Sequence, residues 1–294
     1  MPVFNHLEVR RLTNHIGAEI SNVDLSKDLD QSVIDEIKLA HALYGVIFFR
    51  DQRITPAQHD AFARRFGELT DVFYVKTVDG HGQMSAVVKN EEDRSNIGGS
   101  WHADQTFQQQ PPRGAILVAR ELPDVGGDTL FSSAALAFES LSPGLQQLLE
   151  RLDVVHSNER LVRATSANLI GKDRPIEEVI HPAVIRNPIT GRKSLFLTPF
   201  YVQRFDGWSE ADSQPLLDYL YRLAARPESQ VRFTWKPGSI AFWDNWQVWH
   251  YAVNDYHGKR RMMHRLAIKG TPFLPARDPF EVPATFRERV TVAA

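Results

Sequence analysis

No cysteine occurs among the 294 residues. Disulfides, zinc–thiolate sites, iron–sulfur clusters and cysteine nucleophiles are therefore excluded. Long apolar runs are also missing, and nothing approaches the roughly 20 apolar residues of a membrane-spanning helix. The start, Met1-Pro2-Val3-Phe4-Asn5-His6, lacks the basic-then-apolar pattern of a signal peptide, so a cytoplasmic location is expected. Neither sign of charge is in much excess: 34 basic and 36 acidic residues leave a formal net charge of -2. A nucleic-acid binder usually carries a basic surplus, so neither nucleic acid nor membrane is an expected partner. What is present is an ordinary globular composition, 43% hydrophobic and 24% charged. Eleven histidines are the nitrogen ligands available to a metal. No internal repeat or Pro/Gly/Ser-rich linker divides the chain, which predicts a single domain over 1–294.

The hydrophobic pattern changes along the chain. Strands are expected near Phe4–Leu12 and Gly17–Ile20. Val33, Ile37, Ala40 and Leu43 then follow helical spacing up to Tyr44-Gly45. Val46-Ile47-Phe48-Phe49 reads as a buried strand. Thr55-Pro56-Ala57-Gln58 opens a second helix, with Thr55 as N-cap, Pro56 at the first helical position and Gln58 completing a capping box. From 71 to 100 the pattern is lost, and 160–178 is a second polar stretch. Long irregular segments in compact domains are often functional, so both are expected to be active-site lids. Further on, a helix is expected over Ala134–Leu152 and another after Ser209, with Pro215 tolerated only in the first turn of the latter. Short strands dominate the rest, including a hairpin around Asn187-Pro188-Ile189-Thr190-Gly191. The expected architecture is mainly β with peripheral helices, a double-sheet jelly roll.

The stretch Trp101-His102-Ala103-Asp104 carries the chemistry. In an extended run, residues two apart share one side, so His102 and Asp104 can reach one ion. The best third ligand is His250, in Trp249-His250-Tyr251. Two histidines and one carboxylate on one face, with other positions open, favour non-haem Fe(II) and oxygen chemistry. A His-x-Asp pair is common without a metal, so the weight falls on its downstream company. Trp243, Trp246 and Trp249 read as core residues. His257 sits in an expected exposed turn.

That company is distinctive. Trp101-His102-Ala103-Asp104-Gln105-Thr106-Phe107, Gly126-Gly127-Asp128-Thr129-Leu130, Trp243-Asp244-Asn245, His250-Tyr251-Ala252 and Arg260-Arg261-Met262-Met263-His264-Arg265 occur in that order. Together they resemble the taurine dioxygenase family, which includes 2,4-dichlorophenoxyacetate dioxygenases. Its members are Fe(II)- and 2-oxoglutarate-dependent oxygenases. The resemblance implies a double-stranded β-helix, with His102, Asp104 and His250 as iron ligands. It implies that Arg261 and Thr129 hold the distal carboxylate of 2-oxoglutarate, and that Arg265 holds an anionic group of the primary substrate. It implies O2 consumption, hydroxylation of a substrate C–H bond, release of succinate and CO2, and commonly a homo-oligomer. A guanidinium suits each anion because its planar fork binds two oxygens.

The pattern departs from the taurine-specific one. Gly67-Glu68 is followed by Leu69-Thr70-Asp71-Val72-Phe73-Tyr74, without the histidine that would bind a sulfonate there. Taurine is therefore an unexpected substrate. The expected substrate is a small organic anion: another sulfonate, a sulfate ester or a carboxylic acid such as an aryloxyalkanoate, with Arg265 as the implied anion clamp. Two other readings remain: a Zn(II)-dependent hydrolase using the same ligands, and a non-catalytic jelly-roll binding protein. The hydrolase would have no use for a keto-acid clamp at Thr129 and Arg261.

Overall fold

The computed structural model describes residues 3–163 and 174–291. A nine-stranded sheet forms its larger layer. Its strand order is Glu8–Arg11, Ala18–Ser21, Val46–Phe49, Ile240–Asp244, Gly114–Glu121, Arg261–Ile268, His81–Lys89 and Thr77–Val78, with Leu69–Thr70 also paired to Arg261–Ile268. Ala18–Ser21 pairs with Val46–Phe49 in parallel; its other pairings are antiparallel. A three-stranded antiparallel sheet, Gln230–Phe233, Thr129–Ser133 and Val248–Ala252, makes the facing layer. The architecture is the double-sheet jelly roll.

Strand alternation explains the two cores. Val46, Phe48, Leu117, Trp243 and Met263 meet Phe131, Val231, Phe233 and Val248 between the sheets. Their neighbours Ile47, Phe49, Ile116, Val118 and Leu266 point the other way, onto Ile34, Ile37, Ala40 and Phe62 of the helices Gln31–Tyr44 and Pro56–Arg64. The large sheet is thus covered on both faces, which is why Val46-Ile47-Phe48-Phe49 is apolar throughout. The capping box at Thr55 forms as expected: Gln58 N–H donates to Thr55 Oγ1, and Gln58 Oε1 accepts from Thr55 N–H.

The expected single helix over Ala134–Leu152 is two helices, Ala134–Glu139 and Pro143–Leu149. Pro143 occupies the first position of the second and disfavours helical backbone just before it. Pro215 lies inside Glu210–Ala224, beyond the first turn. Its ring and Ala211 are both exposed, so water can satisfy the Ala211 carbonyl that loses its partner. The stretch 71–100 contains the nine-residue strand His81–Lys89, whose polar residues masked its period. Of 160–178, residues 164–173 lie outside the described residues; the remainder includes the end of the helix Glu159–Val162 and the start of the strand Glu178–Pro182. Among the described residues, no helix is long and apolar enough to cross a membrane.

Candidate active site

His102 and His250 are joined through their backbones. His102 N–H donates to the His250 carbonyl at 3.1 Å, and His250 N–H donates to the His102 carbonyl at 2.8 Å. The strand Val248–Ala252 carries His250 inward, and this one bridge sets His102 against it, ring centroids 4.1 Å apart. Asp104 is not on a strand with His102. The chain turns after Ala103, and Gln105 takes a left-handed φ of 49°. A bridge followed by a turn, rather than simple strand parity, converges the two side chains. Asn245 Oδ1 anchors the turn by accepting from Asp104 N–H at 3.3 Å.

Ligand-capable atoms of His102, Asp104 and His250 lie within 4.8 Å of one another. Asp104 Oδ1 is 3.8 Å from His102 Nε2 and 3.6 Å from His250 Nε2. His102 Nδ1 lies 2.7 Å from the Ser100 carbonyl, which can only accept. The Nδ1 proton is thereby fixed, and the Nε2 lone pair faces Asp104. Burial, then the neighbouring His250, pulls His102 down to about 3. Burial alone would raise Asp104, but Arg265 and then His250 outweigh it and hold the carboxyl well below the usual range. A neutral imidazole and an ionised carboxylate are the forms that bind a metal. Two nitrogens and one carboxylate oxygen fit a non-haem Fe(II) ion better than Mg2+ or Ca2+, which prefer all-oxygen sets.

The other oxygen of Asp104 is held separately. Oδ2 accepts from Trp243 Nε1 at 3.3 Å and lies 2.6 Å from Arg265 Nη2 in a buried ion pair. Trp243, read from sequence as core, therefore touches the Asp104 carboxylate of the candidate metal site. Its position in Ile240–Asp244, facing the small sheet, was the available signal.

Thr129, Arg261 and Arg265 open onto the same inner cavity as the triad, about 60 Å3 in volume. Arg261 and Arg265 share a face of Arg261–Ile268 with Met263 between them, as alternation predicts. Arg261 is buried, yet its Nε and Nη2 have no hydrogen-bond partner among the described residues, and neither has Arg265 Nε. Buried donors of this kind fit an anionic ligand. An outer cavity of about 380 Å3 adjoins, sharing Tyr74, Ile97, Gly98 and His102 with the inner one. Leu161, Phe200, Tyr201 and Tyr251 make its walls largely apolar. Tyr74 lines both cavities. Asp71 is exposed, His257 is exposed, and His264 accepts from Arg120 Nε on the helix-covered face, away from the triad.

Comparison with known proteins decides the family. The family described as "Taurine catabolism dioxygenase TauD, TfdA family" matches residues 8–267. The chain belongs to this family. It is 36% identical to an alkylsulfatase of Acinetobacter baylyi, over 90% of this chain and 85% of that protein. It is 35% identical to an alpha-ketoglutarate-dependent sulfate ester dioxygenase of Pseudomonas putida, over 90% of each. The crystal structure of a taurine dioxygenase from Burkholderia xenovorans superposes with a TM-score of 0.79 at 34% identity, covering 95% of this chain and 96% of that one. The structure of AAD-2 in complex with Mn(II) and N-oxalylglycine gives 0.75 at 27% identity, covering 90% and 98%.

Proposed function

We propose that this chain is an Fe(II)- and 2-oxoglutarate-dependent dioxygenase that hydroxylates a C–H bond of a small organic anion, consuming O2 and releasing succinate and CO2. One observation carries the reading. The buried, unpartnered N–H groups of Arg261 lie in the same cavity as Thr129 and the His102–Asp104–His250 cluster. A zinc hydrolase would have no use for that pairing of a metal site with a carboxylate clamp.

In this reading His102, Asp104 and His250 would hold the iron. Bound iron supplies the redox chemistry that couples decarboxylation of 2-oxoglutarate to hydroxylation. Arg261 and Thr129 bind the distal carboxylate of 2-oxoglutarate and so fix where its keto-acid end lies. Arg265 uses the donors not turned to Asp104 to hold the anionic head of the primary substrate. Trp243 and Arg265 keep Asp104 Oδ2 occupied, leaving Oδ1 for the metal.

The substrate class follows from the two cavities and the relatives. A sulfate ester, a sulfonate or a carboxylic acid such as an aryloxyalkanoate offers an anionic head for Arg265 and an apolar body for the outer cavity. Taurine fits poorly, since the outer walls are largely apolar and an ammonium group would be set against them. The whole chain, 1–294, acts as one oxygenase domain. The segments 71–100 and 160–178 serve as lids, with 94–100 already lining the outer cavity. We take the enzyme to be a cytoplasmic homo-oligomer with no nucleic-acid or membrane partner; light scattering reads the oligomeric state.

The deciding experiment is anaerobic titration with Fe(II) and 2-oxoglutarate, followed by O2 and candidate acids. A visible absorption band that needs both additions, and succinate release that rises with one class of acid, are expected. Hydrolysis by the Zn(II) form with no band from Fe(II) would favour the hydrolase instead.

A further inference from the structure

Trp235 has no part in the roles assigned above, yet it touches both residues of the carboxylate clamp. It lies just beyond the strand Gln230–Phe233, whose Phe233 is paired with Thr129 across the small sheet. Its indole Nε1 donates to Thr129 Oγ1 at 3.0 Å, and both residues are buried. The Arg261 guanidinium carbon lies 5.7 Å from the centre of the same ring. The neighbouring carboxylate of Asp128 is engaged elsewhere, accepting from Arg232 Nε at 2.6 Å and from Thr234 Oγ1 at 3.2 Å.

An indole N–H can only donate, whereas a hydroxyl has one proton and two lone pairs. Trp235 therefore occupies a lone pair of Thr129 and leaves the hydroxyl proton to be given elsewhere. Thr129 borders the inner cavity, where Arg261 also presents donors. Without the indole, the hydroxyl could rotate and present a lone pair to an incoming carboxylate, which would repel it.

We infer that Trp235 is a positioning residue: its indole N–H fixes the Thr129 hydroxyl as a donor, so that this end of the cavity accepts only a group made of acceptors, a carboxylate. The inference rests on the 2-oxoglutarate reading above and adds a residue to it. It makes a non-additive prediction, because Trp235 acts through Thr129.

The test is calorimetric titration of 2-oxoglutarate, without O2, into the Mn(II)-loaded wild type, Trp235→Phe, Thr129→Val and the double variant. Trp235→Phe should weaken binding about fivefold to tenfold, a part of what a hydrogen bond to a charged group contributes. In the Thr129→Val background the same substitution should weaken it no further. In turnover, the loss should appear in the KM for 2-oxoglutarate and not in that for the primary substrate. Equal weakening in both backgrounds would reduce Trp235 to packing and overturn the inference. If Trp235→Phe does not fold, 3-benzothienylalanine at position 235 keeps the ring shape without the N–H, and the same outcomes apply. A wild type with no saturable 2-oxoglutarate binding would instead remove the functional reading itself.

Discussion

Asp104 and Arg265 form a buried ion pair, Oδ2 to Nη2 at 2.6 Å, beside the proposed metal position. The pair ties the carboxylate proposed to hold the metal to the residue proposed to hold the substrate. Asp104→Ala should therefore do more than abolish turnover and weaken iron retention. It leaves the Arg265 charge buried and unpaired, which should cost the metal-free protein about 3–5 kcal/mol. Urea unfolding of metal-free samples reads this. Adding Arg265→Met should recover much of the loss; a double variant as unstable as the sum of the singles would contradict the pairing.

The two arginines should separate in kinetics. Arg261→Met should raise the 2-oxoglutarate requirement by about two to three and a half decades, the equivalent of 3–5 kcal/mol. The KM for the primary substrate should change little. Arg265→Met should do the reverse, and it should uncouple succinate release from hydroxylation. Unchanged substrate affinity in Arg265→Met would mean that Asp104 is its sole concern and that the substrate head lies elsewhere.

How far the sequence carries this site depends on the kind of contact. His102, Asp104, His250, Thr129, Arg261 and Arg265 occupy one cavity, and all six were legible because fixed motifs name them. The strand parity of Arg261 and Arg265 was legible too. Trp243, in a strand, and Trp235, just beyond one, were not, because a tryptophan among apolar residues reads as core whether or not its N–H meets a site residue. The route of Asp104 was also hidden. A single bridge and a left-handed Gln105 leave no periodic signal, and His81–Lys89 was lost among polar residues for the same reason.

Acid should destabilise the fold away from the active site as well. His59 is buried in the helix Pro56–Arg64, where burial, then Arg120 and His264, push it down to about 3. The unfolded chain takes up a proton near 6.5 that the folded chain refuses. Stability is therefore fully present above that pH and lost progressively as pH falls toward 3. At pH 4.5 this one residue should cost about 2–3 kcal/mol relative to pH 8. His59→Met removes the titration, so its stability relative to wild type should improve by about that amount between pH 8 and pH 4.5. Parallel stability–pH curves for the two proteins would show that His59 does not titrate as argued.

The outer cavity makes the substrate's tail measurable. Its walls include Ile97, Leu161 and Phe200, and it adjoins the triad through His102. Each methylene that enters such a site should contribute about 0.8 kcal/mol, or roughly fourfold in KM. A series of linear alkyl sulfates, differing by one carbon, should show KM falling by that ratio until the cavity is full and then levelling. Leu161→Trp fills part of the space with its larger ring, so the levelling point should move to shorter chains while the KM for 2-oxoglutarate stays put. The shift matters more than the absolute KM, because a general loss of folding would weaken every chain length alike. A levelling point that does not move would place the tail outside this cavity, and with it the substrate pose built on Arg265.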